Sequence, residues 1–139
     1  MIQHAELKEY HASGDSVNPL CLFRADESSY GFTLVTINNR ILHTSNLVFT
    51  PVESDAKNKA ILRWQGANEG AWLDFVYELS EDYMVRFTLV PHNLQAELAQ
   101  NINSLEFQWR QLIPQQEQGR KFEERYAQLQ YLPVGGDME

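Results

Sequence analysis

Residues 72–90 read Trp72-Leu73-Asp74-Phe75-Val76-Tyr77-Glu78-Leu79-Ser80-Glu81-Asp82-Tyr83-Met84-Val85-Arg86-Phe87-Thr88-Leu89-Val90, and their alternation decides the fold class. Leu73, Phe75, Tyr77 and Leu79 fall on one phase, with Asp74 and Glu78 on the other. Tyr83, Val85, Phe87 and Leu89 repeat the pattern, with Arg86 opposite. A side-chain period of two belongs to a strand with one face on a core and the other in water. Ser80-Glu81-Asp82 is a tight loop, so the two runs predict an antiparallel hairpin.

The same signal extends outward from this hairpin. Leu105, Phe107 and Trp109 alternate with Glu106, Gln108 and Arg110, and Ala60–Trp64 is a less regular strand candidate. Tyr30–Ile37 is rich in β-branched and aromatic residues and ends at the turn pair Asn38-Asn39, with Arg40-Ile41-Leu42 as a short return. Leu47–Pro51 is strand-like, Pro51 marking its end or a sheet edge. His4–Tyr10 reads equally as a strand end or a helical turn, and Gly14-Asp15-Ser16 with Pro19 closes a polar start. His92–Asn101 reads as a short helix or a crossing loop.

Gln115–Gln128 predicts a helix after Pro114, with Phe122 and Tyr126 on one face and a Glu117–Lys121 pair. Gly119 weakens that helix by about 1 kcal/mol. Leu129–Leu132 reads as a final strand, with Gly135-Gly136 freeing the tail. The expected fold is mainly β, an antiparallel β-sandwich with one short helix near the C-terminus.

A chain of 139 residues is one domain's worth or a fragment of a larger one, so residues 1–139 are expected to form a single domain. A formal charge of -8 argues against nucleic acid or an anionic membrane surface as a direct partner. Cys21 is the sole cysteine, which excludes an internal disulfide framework and zinc spacing. No apolar run approaches the ~18 residues of a membrane span, nor does a basic start precede an apolar stretch. The chain as given is expected to be soluble.

Asp74, Glu78 and Glu106 invite an acid/base reading. The better one sets Glu78 diagonally from Arg86 across the hairpin, as a solvated charge pair. His4, His11, His43 and His92 lack metal-ligand spacing, so no metal or cofactor is expected. His43 beside Thr44 and Ser45 has no identifiable acid and reads as a turn-flanking polar residue. Cys21 between Leu20 and Leu22 reads as a buried small hydrophobe. Gly66-Ala67-Asn68-Glu69-Gly70 is a hairpin-type loop without the lysine or helix of a phosphate loop. No catalytic residue is assigned, and the chain is expected not to be an enzyme.

Two surface features remain as weak candidates for a partner surface. Trp72 falls on the polar phase of its strand, where an exposed aromatic marks a protein or carbohydrate contact. Packing under a loop or against a second sheet is the favoured alternative. Arg120, Lys121 and Arg125 are the basic concentration of an acidic chain, locally offset by Glu117, Glu123 and Glu124. A solvated helix face is the first reading there.

Five runs also occur together in a familiar order. They are Tyr30-Gly31-Phe32-Thr33, Asn39-Arg40-Ile41-Leu42-His43-Thr44-Ser45-Asn46-Leu47-Val48-Phe49-Thr50-Pro51, Asp82-Tyr83-Met84-Val85, Phe107-Gln108-Trp109 and Gly119-Arg120-Lys121-Phe122-Glu123-Glu124-Arg125-Tyr126. The set resembles the large periplasmic domain of the YidC/Oxa/Alb insertase family, in the YidC form of the Bacteroidetes, over residues 20–132.

That resemblance implies a β-supersandwich of the galactose-mutarotase-like kind, of which this chain is an excised part. It implies a membrane-embedded parent, on the periplasmic face of the bacterial inner membrane, with one span before this domain and a bundle of spans after it. The implied role is accessory and non-catalytic: contact with Sec translocon accessory subunits and help with client membrane proteins. The family's membrane-embedded arginine has no counterpart segment here, and no motif matches the mutarotase acid/base residues. The alternatives are a carbohydrate-binding or carbohydrate-modifying β-sandwich, and a structural adaptor with no ligand.

Overall fold

The structure, a computed structural model, describes residue 2 and residues 4–135. Among the described residues nine strands run in chain order: β1 (Ala5–Leu7), β2 (Leu20–Phe23), β3 (Ser28–Val35), β4 (Ile41–His43), β5 (Thr50–Val52), β6 (Lys59–Gln65), β7 (Trp72–Leu79), β8 (Val85–His92) and β9 (Glu106–Gln111). One α-helical turn follows, α1 (Arg120–Glu123). The strands form sheets ordered β1-β2, β4-β3-β9 and β5-β6-β7-β8. The fold is mainly antiparallel β with one short helix near the C-terminus, as the sequence predicts. The chain divides into two compact units, Tyr30–Trp109 and the pair of segments Met1–Ser29 and Arg110–Glu139.

In the Tyr30–Trp109 unit the predicted hairpin is present, running from Trp72↔His92 to Leu79↔Val85. Its second strand starts at Val85, later than the alternation suggests. Tyr83 sits at a left-handed φ of 64°, and the Ser80 N–H donates to the Met84 carbonyl at 2.9 Å, so Tyr83 and Met84 belong to the loop. Leu73, Phe75 and Tyr77 are buried, whereas Leu79 at the strand end is exposed.

The polar phase of β7 departs from expectation. Asp74 is buried against Arg63 of β6 rather than solvated. Glu78 lies directly opposite Arg86, not diagonally, and its ion pair at 3.1 Å is with Lys59 of β6.

The two larger sheets pack through aromatic rings. Phe32 of β3 meets Phe75 edge-on at 6.1 Å and stacks on Phe87 at 5.7 Å. The Tyr30 hydroxyl donates to the Tyr77 hydroxyl at 2.8 Å. Such ring pairs add about 0.5–1.5 kcal/mol each beyond area burial. β3 ends at Val35, two residues before the predicted Ile37, and the predicted turn follows: Asn39 takes a left-handed φ of 56°, and the Thr36 N–H donates to the Arg40 carbonyl. Pro51 lies within the edge strand β5, where its missing N–H is harmless. His92–Asn101 holds a single 3-10 turn, Leu94–Ala96, and a crossing segment.

In the other unit, His4–Tyr10 contributes strand β1, paired antiparallel with β2. Cys21, in the two-stranded sheet β1-β2, is half-buried rather than fully buried. The helix predicted over Gln115–Gln128 shrinks to α1. Gly119, at φ 96°, turns the backbone left-handed immediately before Arg120 and stops the helix extending backward. The expected Glu117–Lys121 pair is replaced by Arg120–Glu124 at 2.8 Å. Residues 129–132 form no strand and are exposed. Gly136, half of the pair read as freeing the tail, lies outside the described residues.

Candidate functional site

The basic residues singled out by sequence sit on and just after α1. Arg120 and Lys121 are exposed, and the Arg120 guanidinium donates to the Glu124 carboxylate at 2.8 Å. Arg125 follows the helix, its N–H donating to the Phe122 carbonyl at 3.3 Å. Phe122 and Tyr126 touch each other, ring centres 5.9 Å apart, but both remain exposed, so they do not anchor the turn in a core. A cleft of about 360 Å³ adjoins them, lined by Ile113, Pro114, Arg120, Glu123 and Ala127 among others. The result is a mixed-charge, aromatic-bearing surface.

Trp72, the fourth candidate, belongs to the other compact unit. Two neighbouring strands engage its indole. His92 of β8 stacks on it at 4.6 Å, and the Arg63 guanidinium of β6 lies 4.4 Å from its ring centre. Arg63 is in turn held by Asp74 through two 2.7 Å hydrogen bonds, a bidentate pair with the carboxylate shielded from water. That hydrogen bonding raises the Arg63 pKa above its ordinary value. Trp64 is half-buried in β6. A sugar platform needs a free ring face beside polar groups, whereas the Trp72 ring is engaged by both His92 and the Arg63 guanidinium.

Sequence reasoning missed Glu97. Its carboxylate accepts the backbone N–H groups of Ala67 and Asn68 at 3.0 and 2.7 Å, clamping the Gly66–Gly70 loop. The Asn93 side-chain amide donates a hydrogen bond to the Gly70 carbonyl at 3.0 Å. No spacing rule could flag this, because the partners lie some thirty positions away and offer backbone rather than side chain.

A second grouping also escaped notice. The Cys21 sulfur lies 3.8 Å from His4 Nδ1, and His4 Nε2 is 3.2 Å from Glu6. The Glu6↔Cys21 register explains the proximity. His4 is open to solvent, and the sulfur contact is longer than the ~3.2 Å of an engaged nucleophile–base pair. His43 Nδ1 lies 3.4 Å from Thr33 Oγ1 across β3 and β4, as a strand-face polar contact. Among the described residues no three His, Cys, Asp or Glu side chains converge as metal ligands.

No helix among the described residues is long and apolar enough to cross a membrane. The family model described as the YidC periplasmic domain matches residues 1–132. The chain is 45% identical over 139 residues to the membrane protein insertase YidC of Parabacteroides distasonis, covering 99% of this chain and 22% of that protein. It is 42% identical over 139 residues to the corresponding insertase of Azobacteroides pseudotrichonymphae, with the same two shares. Against the insertase of Phocaeicola vulgatus the identity is 35% over 131 residues, 94% of this chain and 20% of that one. The chain therefore spans between a fifth and a quarter of the length of these relatives. No solved structure matches it.

Proposed function

Because this chain belongs to the YidC periplasmic domain family, we propose that it is an accessory, non-catalytic part of a membrane protein insertase. It acts on the periplasmic side of the bacterial inner membrane, within a parent whose membrane-spanning portion performs insertion. The chain is part of a larger periplasmic domain, in keeping with its 22% share of the Parabacteroides distasonis insertase. Its task is contact with partner proteins, the Sec translocon accessory subunits, and with client membrane proteins on their way into the bilayer.

The observation that carries this reading is the family match over residues 1–132. The surface we assign to partner contact is the α1 region, where Arg120, Lys121 and Arg125 stand exposed beside Phe122 and Tyr126. Aromatic and arginine side chains are the residues that dominate protein interfaces. Trp72, engaged on its ring by Arg63 and His92, is better read as structure. The same engagement leaves the carbohydrate alternative without a platform at that residue.

The test is recovery of Sec accessory subunits with the full-length insertase carrying Arg120→Glu, Lys121→Glu and Arg125→Glu together. Recovery is expected to fall several-fold relative to the unaltered protein at equal expression. Undiminished recovery removes this surface as the contact.

A further inference from the structure

The α1 turn divides its charges between two faces. At about 100° per residue, Arg120, Glu123, Glu124 and Ala127 fall on one side, and all four line the cleft. The helical spacing carries past the end of α1, since the Ala127 N–H donates to the Glu123 carbonyl at 3.2 Å. Both carboxylates on that side are already engaged. Glu123, half-buried, accepts the Gln116 N–H at 2.9 Å, and Glu124 accepts the Arg120 guanidinium at 2.8 Å.

Lys121 and Arg125 stand four positions apart on a different side, and neither lines the cleft. Both are exposed, and no ion pair among the described residues includes either. Gly119, at φ 96°, breaks the helical register that would set Glu117 one turn before Lys121. The offset expected from Glu117, Glu123 and Glu124 therefore leaves these two cations without a paired carboxylate. Like charges at this spacing repel each other, so a counter-charge from outside relieves them. One residue further round, Phe122 and Tyr126 form an adjoining aromatic stripe, 65 and 73% exposed.

The number of charges decides what kind of surface docks here. Anionic bilayers are read by clusters of about 4–8 basic side chains, whereas this stripe has two, on a chain of formal charge -8. We propose that the stripe receives an acidic segment of a partner protein. Two carboxylates about 6 Å apart would meet Lys121 and Arg125, with an apolar side chain against Phe122 and Tyr126. Acidic residues at alternate positions of an extended segment, or one turn apart on a helix, have that spacing. This inference rests on reading α1 as the partner-contact surface and adds the chemistry of what docks there.

The experiment places a photoreactive group on the stripe, as Tyr126→p-benzoylphenylalanine in the full-length insertase in native membranes. The expected product is a protein adduct whose cross-linked peptide carries two Asp or Glu residues within five positions. Its yield is expected to fall several-fold when Lys121→Glu and Arg125→Glu are added together. It should fall likewise between 0.1 and 1 M salt, where the Debye length shrinks from about 10 to about 3 Å. A lipid adduct alone, no adduct, a peptide without paired carboxylates, or a yield unmoved by charge or salt overturns the proposal. The partner's identity separates the two readings. A Sec accessory subunit cross-linked through a non-acidic peptide removes only the acidic segment. An acidic, charge-sensitive adduct on a different protein keeps the acidic segment and removes the Sec assignment.

Discussion

Glu97 holds Asn68 by its backbone: the carboxylate accepts the Asn68 N–H at 2.7 Å and the neighbouring Ala67 N–H at 3.0 Å. The segment after β8 thus fixes the loop between β6 and β7. Its own Glu97 carbonyl accepts the Ile37 N–H at 2.9 Å, tying the same residue to the end of β3.

Removing this clamp by Glu97→Ala is expected to lower stability by about 1–3 kcal/mol, the range for charge-assisted bonds at a partly exposed site. Gly66 offers an independent check, because a Cβ there would stand 2.8 Å from both carboxylate oxygens. Gly66→Ala should therefore destabilise the unaltered chain and do less harm in the Glu97→Ala background. Urea titration of the four proteins measures the coupling, and strict additivity would refute the clamp.

Asp74 and Arg63 form the bidentate pair beneath Trp72. Asp74→Ala leaves the guanidinium without its partner and is expected to cost about 1–3 kcal/mol, because the Arg63 side chain is partly open to water. Arg63→Lys keeps the charge but loses the fork and the contact with the indole, so it should also destabilise, by about 1–3 kcal/mol. Thermal unfolding resolves both. A loss under half a kilocalorie for Asp74→Ala would mean the pair is dispensable.

Tyr77 gives the fold a pH dependence. Burial, and then the hydrogen bond from Tyr30, push its phenol well above the ordinary value of 10.0. The folded state then holds a proton that the unfolded state releases near pH 10. Stability is therefore complete below pH 10 and falls as pH rises above it. Tyr77→Phe should flatten that decline. Denaturation midpoints measured from pH 8 to 11 would show equal slopes if the idea is wrong.

Tyr83 sits at φ 64°, a conformation glycine adopts freely and tyrosine does not. Tyr83→Gly should stabilise the β7–β8 loop by about 0.5–1 kcal/mol, the relief of strain exceeding the added chain entropy. A lower denaturation midpoint than that of the unaltered chain would contradict it.

The β7–β8 hairpin was legible in the sequence because Leu73, Phe75, Tyr77 and Phe87 share one phase, and a period of two has a single structural meaning. The burial of Asp74 was not, since it depends on Arg63 standing opposite in a third strand, a pairing set by register. The long helix failed on its N-terminal side at Gly119, whose left-handed backbone stands immediately before Arg120. The alternation of β9 was legible, but the core expected under it was not found: Leu105, Phe107 and Trp109 are all exposed. Alternation reports the side a residue points to, not whether anything lies there. The family was legible through the order of five short runs, none of them a chemical motif. The α1 surface was legible only as composition, since its i,i+4 ion pair is Arg120–Glu124 and not the Glu117–Lys121 pair that the sequence suggested.

The pairing of β9 with β3 has a kinetic consequence. Strands β5 to β8 each meet the next in the chain, so their sheet closes through short loops and low contact order. β3 and β9, by contrast, pair across the whole of residues 36–105, and the entropy of closing that loop must be met in one step. During synthesis, at about 5–20 residues per second, the meander is complete for a second or more before β9 leaves the ribosome. Throughout that interval β3 waits with an unfilled edge. The order of assembly is thus written into the topology: a fast local sheet first, and a slow return that seals the second sheet last.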